Sequence, residues 1–482
     1  MTAEITVRNR VRSPWPKPCA SGSKIAGVRL LALVLIVIAG LALRMDAAWN
    51  GAPVNSPDSA AYERIARGLY EDGEFAQKGP GTPAHPQPAT NYSPGLPLAT
   101  AGIFELAGND NVRLARILFA LIATLAIPFA WLLARRLAPP EDPGVAGIVA
   151  ASIVAFYPCL ISDAGMLLTE SLTGTLLTGA LLMMLRARDK LDETDRPVAL
   201  RALDWLIPGA LLGLTAMVRP EYLPISLVLI LVLALISRGH GLKPVLLGSG
   251  LMLAALLLVI APWTTRNLDN SGRLVPLSTG GGQTLFTGSY LASAGDPLEV
   301  MPDLLAKNPV LAERLEIQNA MSGESSQSIT PERVLTLLAS ARMPNLPTDV
   351  ALTRMGRHNY LRALRNDPIG LTEYFAGKSA RIWWRGRTDL TGTTAGRAFH
   401  MTLVAAALMG LLLLAFRRRP EFWLIAALAI GVTLIGAVFV ASPRRTLALW
   451  PVIACLSGIG FSLALRLARD AVASRLRPVP IA

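Results

Sequence analysis

The sequence has 482 residues and a formal net charge of +13; 52% of its residues are hydrophobic and its mean hydropathy is +0.45. The apolar residues come in long blocks rather than at helical or strand spacing, which argues against an ordinary soluble globular chain. Three cysteines, Cys19, Cys159 and Cys455, make neither a disulfide framework nor a metal-ligand spacing, and the basic residues flank the apolar blocks as membrane topology signals do, not as a nucleic-acid surface would.

Residues 1–24 form a basic N-terminus with Arg8, Arg10, Arg12, Lys17 and Lys24. An apolar run from about Val28 to Leu43 follows, long enough to cross a hydrocarbon core of ~30 Å. A cleaved signal needs a shorter core and a small-residue site. Ala47 and Ala48 keep that reading open, but nine further spans follow.

Ten spans are expected, near 25–45, 112–135, 144–162, 166–186, 204–219, 221–237, 244–263, 398–416, 421–441 and 446–466. In lipid each must be a helix, because no water is present to pair its backbone. The fifth is short, and Pro220 forces a break after it. If the first span enters from the cytoplasm, Arg135-Arg136, Arg186, Arg188, Lys190, Arg238, Lys243, Arg417-Arg418-Arg419 and the 467–482 tail all fall inside. The positive-inside bias then makes both termini cytoplasmic. The organisation expected is a 25–263 transmembrane catalytic module with an outer loop at 46–111, an extracytoplasmic loop domain at 264–397 and C-terminal transmembrane helices at 398–466.

The outer segments carry structure of their own. Pro57 to Leu69 reads as a helix with Ala61, Ile65 and Leu69 on one face, too short and polar to cross, and so expected to lie on the membrane surface. A Pro/Gly-rich loop, Gly79 to Pro88, leads to Tyr92-Ser93-Pro94-Gly95-Leu96-Pro97. The segment 264–397 holds Gly280-Gly281-Gly282, read as a turn more readily than as a phosphate cradle, and two helices near 348–366 and 369–385. Lys378, Arg381, Trp383 and Trp384 on the second suit an interface anchor.

Charges inside spans are expensive and therefore informative. Outside the long outer loops and the inner loops, the acids in or at the edge of spans are Asp163, Glu170 and Glu221, and the remaining bases are Arg29, Arg44, Arg113, Arg116, Arg219, Arg444 and Arg445. All but Arg29 map to the outer half, which suggests an outward-facing polar cavity. Guanidinium groups there suit a phosphate. Asp163 reads as a solvated turn acid.

The run Pro57-Asp58-Ser59 with Tyr62, then Gly73-Glu74-Phe75, Tyr92-Ser93-Pro94-Gly95-Leu96-Pro97-Leu98, Leu168-Thr169-Glu170-Ser171-Leu172, Val218-Arg219-Pro220 and Ala261-Pro262-Trp263-Thr264-Thr265-Arg266-Asn267 resembles the GT-C glycosyltransferases. The branch is the one that includes protein O-mannosyltransferases and the aminoarabinose transferase of lipid A. The resemblance covers most of the chain. It departs at Arg444-Arg445-Thr446, where similar proteins often carry Arg-Tyr-Arg, so it does not single out one phosphate-binding arginine.

The resemblance implies an all-α polytopic membrane protein, with a GT-C-type bundle of about ten transmembrane helices, interfacial helices and an α-rich extracytoplasmic loop domain. It implies a multi-pass enzyme of the cytoplasmic membrane with its site facing the periplasm or exterior. That enzyme would be an inverting hexosyl- or pentosyltransferase. It would take sugar from a polyprenyl-phosphate-linked donor to a hydroxyl of a glycan, lipid or protein acceptor. Asp58 is the expected general base, with Glu170 orienting the acceptor or sugar, or holding an arginine. Arg219, Arg266, Arg444 and Arg445 are the expected donor phosphate ligands. Tyr62 and Tyr92 are expected to bind substrate. No cofactor and no catalytic metal are expected; His85, His240, His358 and His400 are dispersed. Membrane lipids are the other expected partners, and nucleic acid is not.

Plainer readings stand beside these. Asp58 could cap its helix. Glu170 could pair with an arginine for folding alone, and Arg219, Arg266, Arg444 and Arg445 could be headgroup-facing bases. A lipid-linked-sugar transporter, or a surface polysaccharide polymerase component, would share the composition. A transporter should line a path through the bilayer with ionisable groups, whereas here the inner halves of the spans are almost free of charge.

Overall fold

The computed structural model describes residues 23–51, 56–77, 89–193, 195–293, 297–322, 331–386 and 388–475. The basic residues Arg8 to Lys17, the Gly79–Pro88 loop with His85, and Arg477 lie outside the described residues. The described chain is a multi-pass helical protein, and no extended strand occurs in it.

The first half runs α1 (Ser23–Asn50), α2 (Pro57–Asp72), α3 (Gly95–Ala107), α4 (Val112–Thr124), α5 (Ala126–Leu137), α6 (Pro143–Phe156), α7 (Pro158–Ala164), α8 (Glu170–Asp189), α9 (Val198–Val218), α10 (Tyr222–Ile236) and α11 (Leu242–Ser271). The intervening segment folds as α12 (Gly281–Gly288), α13 (Pro297–Lys307), α14 (Pro309–Ser322), α15 (Pro331–Arg342), α16 (Thr348–Asn366), α17 (Pro368–Trp384) and α18 (Thr388–Thr391). The chain closes with α19 (Thr394–Phe416), α20 (Glu421–Val438), α21 (Arg444–Leu447) and α22 (Trp450–Arg475).

Every expected span falls on a helix, but fewer than ten qualify as spans by length and apolar content. Seven do: Ala26–Asn50, Val112–Leu137, Val198–Val218, Leu242–Ser271, Thr394–Phe416, Glu421–Val438 and Trp450–Ala473. The pair α6 and α7 makes an eighth if counted as one, bent by 50°. The bend follows from Pro158, which pushes Tyr157 into the extended region (φ −69°, ψ 116°) and opens a new helix. The Tyr157 ring holds the corner by stacking on Trp450 at 3.9 Å.

The other two fall short for different reasons. α10 has 15 residues, which span only ~22 Å. α8 has 20 residues but carries Thr173, Thr175 and Thr178, all buried. Their hydroxyls bond carbonyls four residues back, at 2.7, 2.9 and 2.6 Å. A helix of that composition suits a protein environment, and α8 has one: it packs against α4, α5, α9 and α22. Elsewhere glycine permits close approach. A Cβ at Gly410 or Gly460 would come within 2.1 Å of a carbonyl on the facing helix, so α19 and α22 meet backbone to backbone.

The amphipathic helix at 57–69 forms as α2, ended by Gly73 in the left-handed region (φ 71°). Its apolar face does not rest on lipid. Ala61, Ile65 and Ala66 are buried, α2 packs on α3, and the Ser59 hydroxyl accepts the Leu167 N–H at 3.1 Å. α3 itself begins inside the Tyr92–Pro97 motif, with proline in its first turn where no N–H is needed.

The segment after α11 has its own apolar core of Val300, Leu304, Leu311, Val334, Leu338 and Leu352. The two helices expected there appear as α16 and α17. Gly280–Gly282 is not a free turn but the start of α12. A Cβ at Gly282 would meet the Asp349 carbonyl at 2.2 Å, so glycine lets α12 lie against α16.

Candidate active site

Four helix ends converge at one end of the bundle. α2 brings Asp58 in its first turn, and α8 brings Glu170 at its start. The break between α9 and α10 brings Arg219 and Glu221, and α21 brings Arg444 and Arg445.

Arg444 joins them. Its Nη1 donates to Asp58 Oδ2 at 2.5 Å and its Nε donates to Glu170 Oε1 at 2.5 Å. Burial disfavours the Arg444 charge, but Glu170 and Asp58 more than offset it and raise its pKa. Among the described residues its Nη2 has no partner, and the side chain stays 33% exposed. Asp58 does not cap α2, whose N-cap is Ser56; its carboxylate is 48% exposed and bound to Arg444.

Glu170 is the buried member, 1% exposed. Besides Arg444 it has Arg219 Nη1 at 3.4 Å. The start of α8 is fixed from below: Asp163 Oδ2 accepts the Ser171 N–H at 2.9 Å and the Ser171 hydroxyl at 2.5 Å. Asp163 is therefore not a solvated turn acid. It is 1% exposed and caps the helix that carries Glu170. A small cavity beneath Glu170 is lined by Arg44, Ser171, Gly174 and Pro451. Arg44 is buried there and donates to the carbonyls of Gly40, Val154 and Ala155 at 3.0, 2.6 and 3.2 Å.

The second pair of arginines shares one carboxylate. Pro220 forces Arg219 into extended backbone (φ −139°, ψ 103°), which turns its side chain back toward Glu221. Arg219 Nε and Nη2 donate to Glu221 Oε1 at 3.0 and 2.9 Å, and Arg445 Nη1 reaches the same oxygen at 3.3 Å. Arg445 Nε donates to the Val440 carbonyl at 2.8 Å.

Asp58, Glu170, Arg219, Arg444 and Arg445 are thus brought together, with Glu221 and Asp163 as members to which the sequence assigned no site role. Arg219-Pro220-Glu221 was the available signal: two charges flanking a proline at a span break. Arg266 lies apart from these ion pairs. Its guanidinium sits over the Trp263 ring at 4.4 Å and the Phe75 ring at 5.3 Å, with Nη1 on Asn267 Oδ1 at 3.3 Å. Tyr62 and Tyr92 meet edge to face at 5.7 Å beside Asp58, and burial with the Asp58 charge pushes the Tyr62 hydroxyl up to about 12.

The Lys378 anchor reading is also corrected. The Lys378 amine is buried and donates to the Gly288 carbonyl at 2.9 Å, and Trp383 Nε1 donates to Thr433 Oγ1 at 2.9 Å. Both tie α17 to its neighbours; Trp384 alone of the three is exposed. Among the described residues no group of three or more His, Cys, Asp and Glu side chains is placed to hold a metal ion.

Residues 85–264 match the family model described as dolichyl-phosphate-mannose-protein mannosyltransferase. No curated protein matches the chain in sequence. Among solved structures, the archaeal oligosaccharyltransferase AglB from Archaeoglobus fulgidus, in complex with an inhibitory peptide and a dolichol-phosphate, is 18% identical with a TM-score of 0.54, covering 95% of this chain and 53% of that one. The apo form of the Archaeoglobus fulgidus oligosaccharyltransferase gives 16% identity and a TM-score of 0.54, covering 95% and 53%. ArnT from Cupriavidus metallidurans, in the apo state, gives 16% identity and a TM-score of 0.40, covering 91% and 78%. The chain spans about half the length of the oligosaccharyltransferase, and at these identities the likeness concerns the fold.

Proposed function

We propose that this chain is a GT-C-type glycosyltransferase, which transfers a sugar from a polyprenyl-phosphate carrier to an acceptor hydroxyl at the outer face of the cytoplasmic membrane. The observation that carries this reading is the Arg444 bridge between a half-exposed carboxylate, Asp58, and a buried one, Glu170. The family match to a dolichyl-phosphate-sugar enzyme and the dolichol-phosphate in the AglB complex support the class of donor.

The acceptor oxygen attacks the anomeric carbon from the face opposite the phosphate, and Asp58 takes its proton as the new bond forms. The C–O bond to phosphate breaks and its electron pair stays on the phosphate, so the anomeric carbon is inverted. Negative charge grows on the leaving phosphate, and the open Nη2 of Arg444 offers it a charge-assisted hydrogen bond. Arg219 and Arg445 add positive potential behind it. Glu170 and Glu221 hold those arginines in place, which spares the transition state the cost of arranging them.

Mass spectrometry of cell-envelope glycans and glycolipids, with and without the protein, should reveal a sugar-bearing product that disappears in its absence. In a purified polyprenyl-phosphate-sugar assay, Asp58→Asn is expected to lower transfer by roughly 10²–10⁴-fold while donor binding persists. Full turnover by that variant would remove Asp58 as the base. Cysteine labelling that placed residues 264–397 in the cytoplasm would overturn the sidedness.

A further inference from the structure

A further carboxylate reaches the mouth of this site from the helical segment after α11. Glu332, in the first turn of α15, accepts the Asn91 amide N–H at 3.0 Å and the Tyr92 hydroxyl at 2.9 Å. Both bonds go to the same oxygen, Oε1. Among the described residues Oε2 has no partner, and no cation lies within ion-pair distance of the carboxylate.

That arrangement is costly if Glu332 serves only as a tie. Its two partners are neutral, and burial holds its pKa above the usual carboxylate range. The nearby Asp58 charge pushes it the same way, while Arg64 attracts it from a distance. The loop that carries Tyr92 does not need the tie. The Thr279 N–H already donates to the Thr90 carbonyl at 2.8 Å, and Gly280 packs against the Asn91 carbonyl. A glutamine would make both bonds to Asn91 and Tyr92 without a charge. A half-buried carboxylate that keeps an open oxygen beside another carboxylate is an arrangement found at functional sites more than at structural ones.

We infer that Glu332 is a specificity-determining residue for the acceptor, its open Oε2 taking a hydrogen bond from a second donor group that sits beside the reacting hydroxyl. This assignment rests on the transferase reading above. The site is then polarised. Arginines at its buried side receive the donor phosphate, while Asp58 and Glu332 at its open side receive a hydrogen-bond donor each. An acceptor with neighbouring hydroxyls, as in a sugar unit, or with a hydroxyl beside an ammonium, satisfies both. An acceptor with an anionic group beside its hydroxyl is repelled.

The test uses the full chain in lipid nanodiscs with a labelled polyprenyl-phosphate sugar. The acceptor probe is an envelope extract from cells lacking the protein, titrated over a dilution series. Glu332→Gln keeps an oxygen for Asn91 and Tyr92 but places an NH₂ where the acceptor's donor must bind. The expected result is a rise of about tenfold or more in the half-saturating extract concentration. Donor half-saturation and hydrolysis of donor by water should stay unchanged. Glu332→Asp, which retains the charge, should recover part of the loss, and thermal unfolding in detergent should report an intact fold for both. An unchanged extract requirement in Glu332→Gln, or an equal loss toward donor and acceptor, overturns the assignment. If the unmodified chain transfers no sugar at all, it is the transferase reading that falls, and this one with it.

Discussion

Two clusters of charged side chains lie at opposite ends of α8, ~30 Å apart along a helix of 20 residues. At the end away from the candidate site, Arg136 clamps Asp189 with two bonds of 2.9 and 2.7 Å and reaches Glu421 at 3.1 Å. Arg188 and Arg419 add further contacts to Glu421, each at 3.3 Å. The Arg136, Asp189 and Glu421 side chains are 2%, 9% and 4% exposed. At the site end, Asp58 and Arg444 are 48% and 33% exposed. The residue types are the same, arginine against carboxylate, but at the far end both carboxylates are covered and only Arg419 is open, at 32%, whereas at the site end a carboxylate, Asp58, is open as well. A closed network spends its charges on each other and serves the fold. An open one holds a guanidinium in position while leaving donors for a ligand.

The sharpest way to break the comparison is Arg444→Ala. Transfer should fall about 10³-fold, because the phosphate loses its donor and Glu170 is left buried with a weaker partner. The measurement is initial rate with purified protein; a mild effect would mean that Arg219 and Arg445 suffice. Glu170→Gln should cost less, on the order of 10²-fold in turnover, if its task is to hold Arg444. The closed cluster should respond in the other currency. Glu421→Gln removes the carboxylate that Arg188 and Arg419 share and leaves Arg136 with Asp189 alone, and should destabilise the fold by about 3 kcal/mol, read as a lower midpoint of thermal unfolding in detergent. Transfer per folded molecule should be unaffected. The smallest effect is expected at Arg266→Ala, within about threefold of the unmodified rate, since its guanidinium is occupied by two aromatic rings rather than by the ion cluster. A loss as large as that of Arg444→Ala would put the donor phosphate nearer α11.

The closed cluster also refines the charge inventory. The far halves of the spans look almost free of charge in sequence because Arg136, Arg188 and Arg419 fall in connecting loops by their position in the chain and Glu421 stands at the very start of its span. Glu421 opens α20 and is buried. Its place in a network depends on the ends of α5, α8 and α20 meeting, which no local pattern records.

Much of the architecture was legible one segment at a time. Apolar blocks marked every helix of the bundle, since lipid demands long apolar helices wherever it is the solvent. α8 was legible as a helix but not as a protein-shielded one. Its threonines satisfy their hydroxyls within the helix, so its surroundings are decided by its neighbours. The same limit explains α2, whose apolar stripe was plain but whose partner, α3 or lipid, was not.

Sequence alone therefore determined where the long apolar helices lie and which charged residues stand at their ends, but not α3 or α12 to α15. Glu170, Arg219, Arg444 and Arg445 were visible as charges too expensive to leave in a bilayer without a reason, and Asp58 through the resemblance of its Pro57-Asp58-Ser59 run. Only the tertiary structure decided which of them meet. It separated Arg266 from the cluster, turned Asp163 from a surface acid into the cap of α8, enlisted Glu221 to hold two arginines, and carried Glu332 to Tyr92 across 240 residues of chain. The physical reason is range: helix formation and insertion follow from neighbours within a few turns, whereas an ion pair needs two side chains within hydrogen-bonding distance, and that distance is set by packing of helices far apart in sequence.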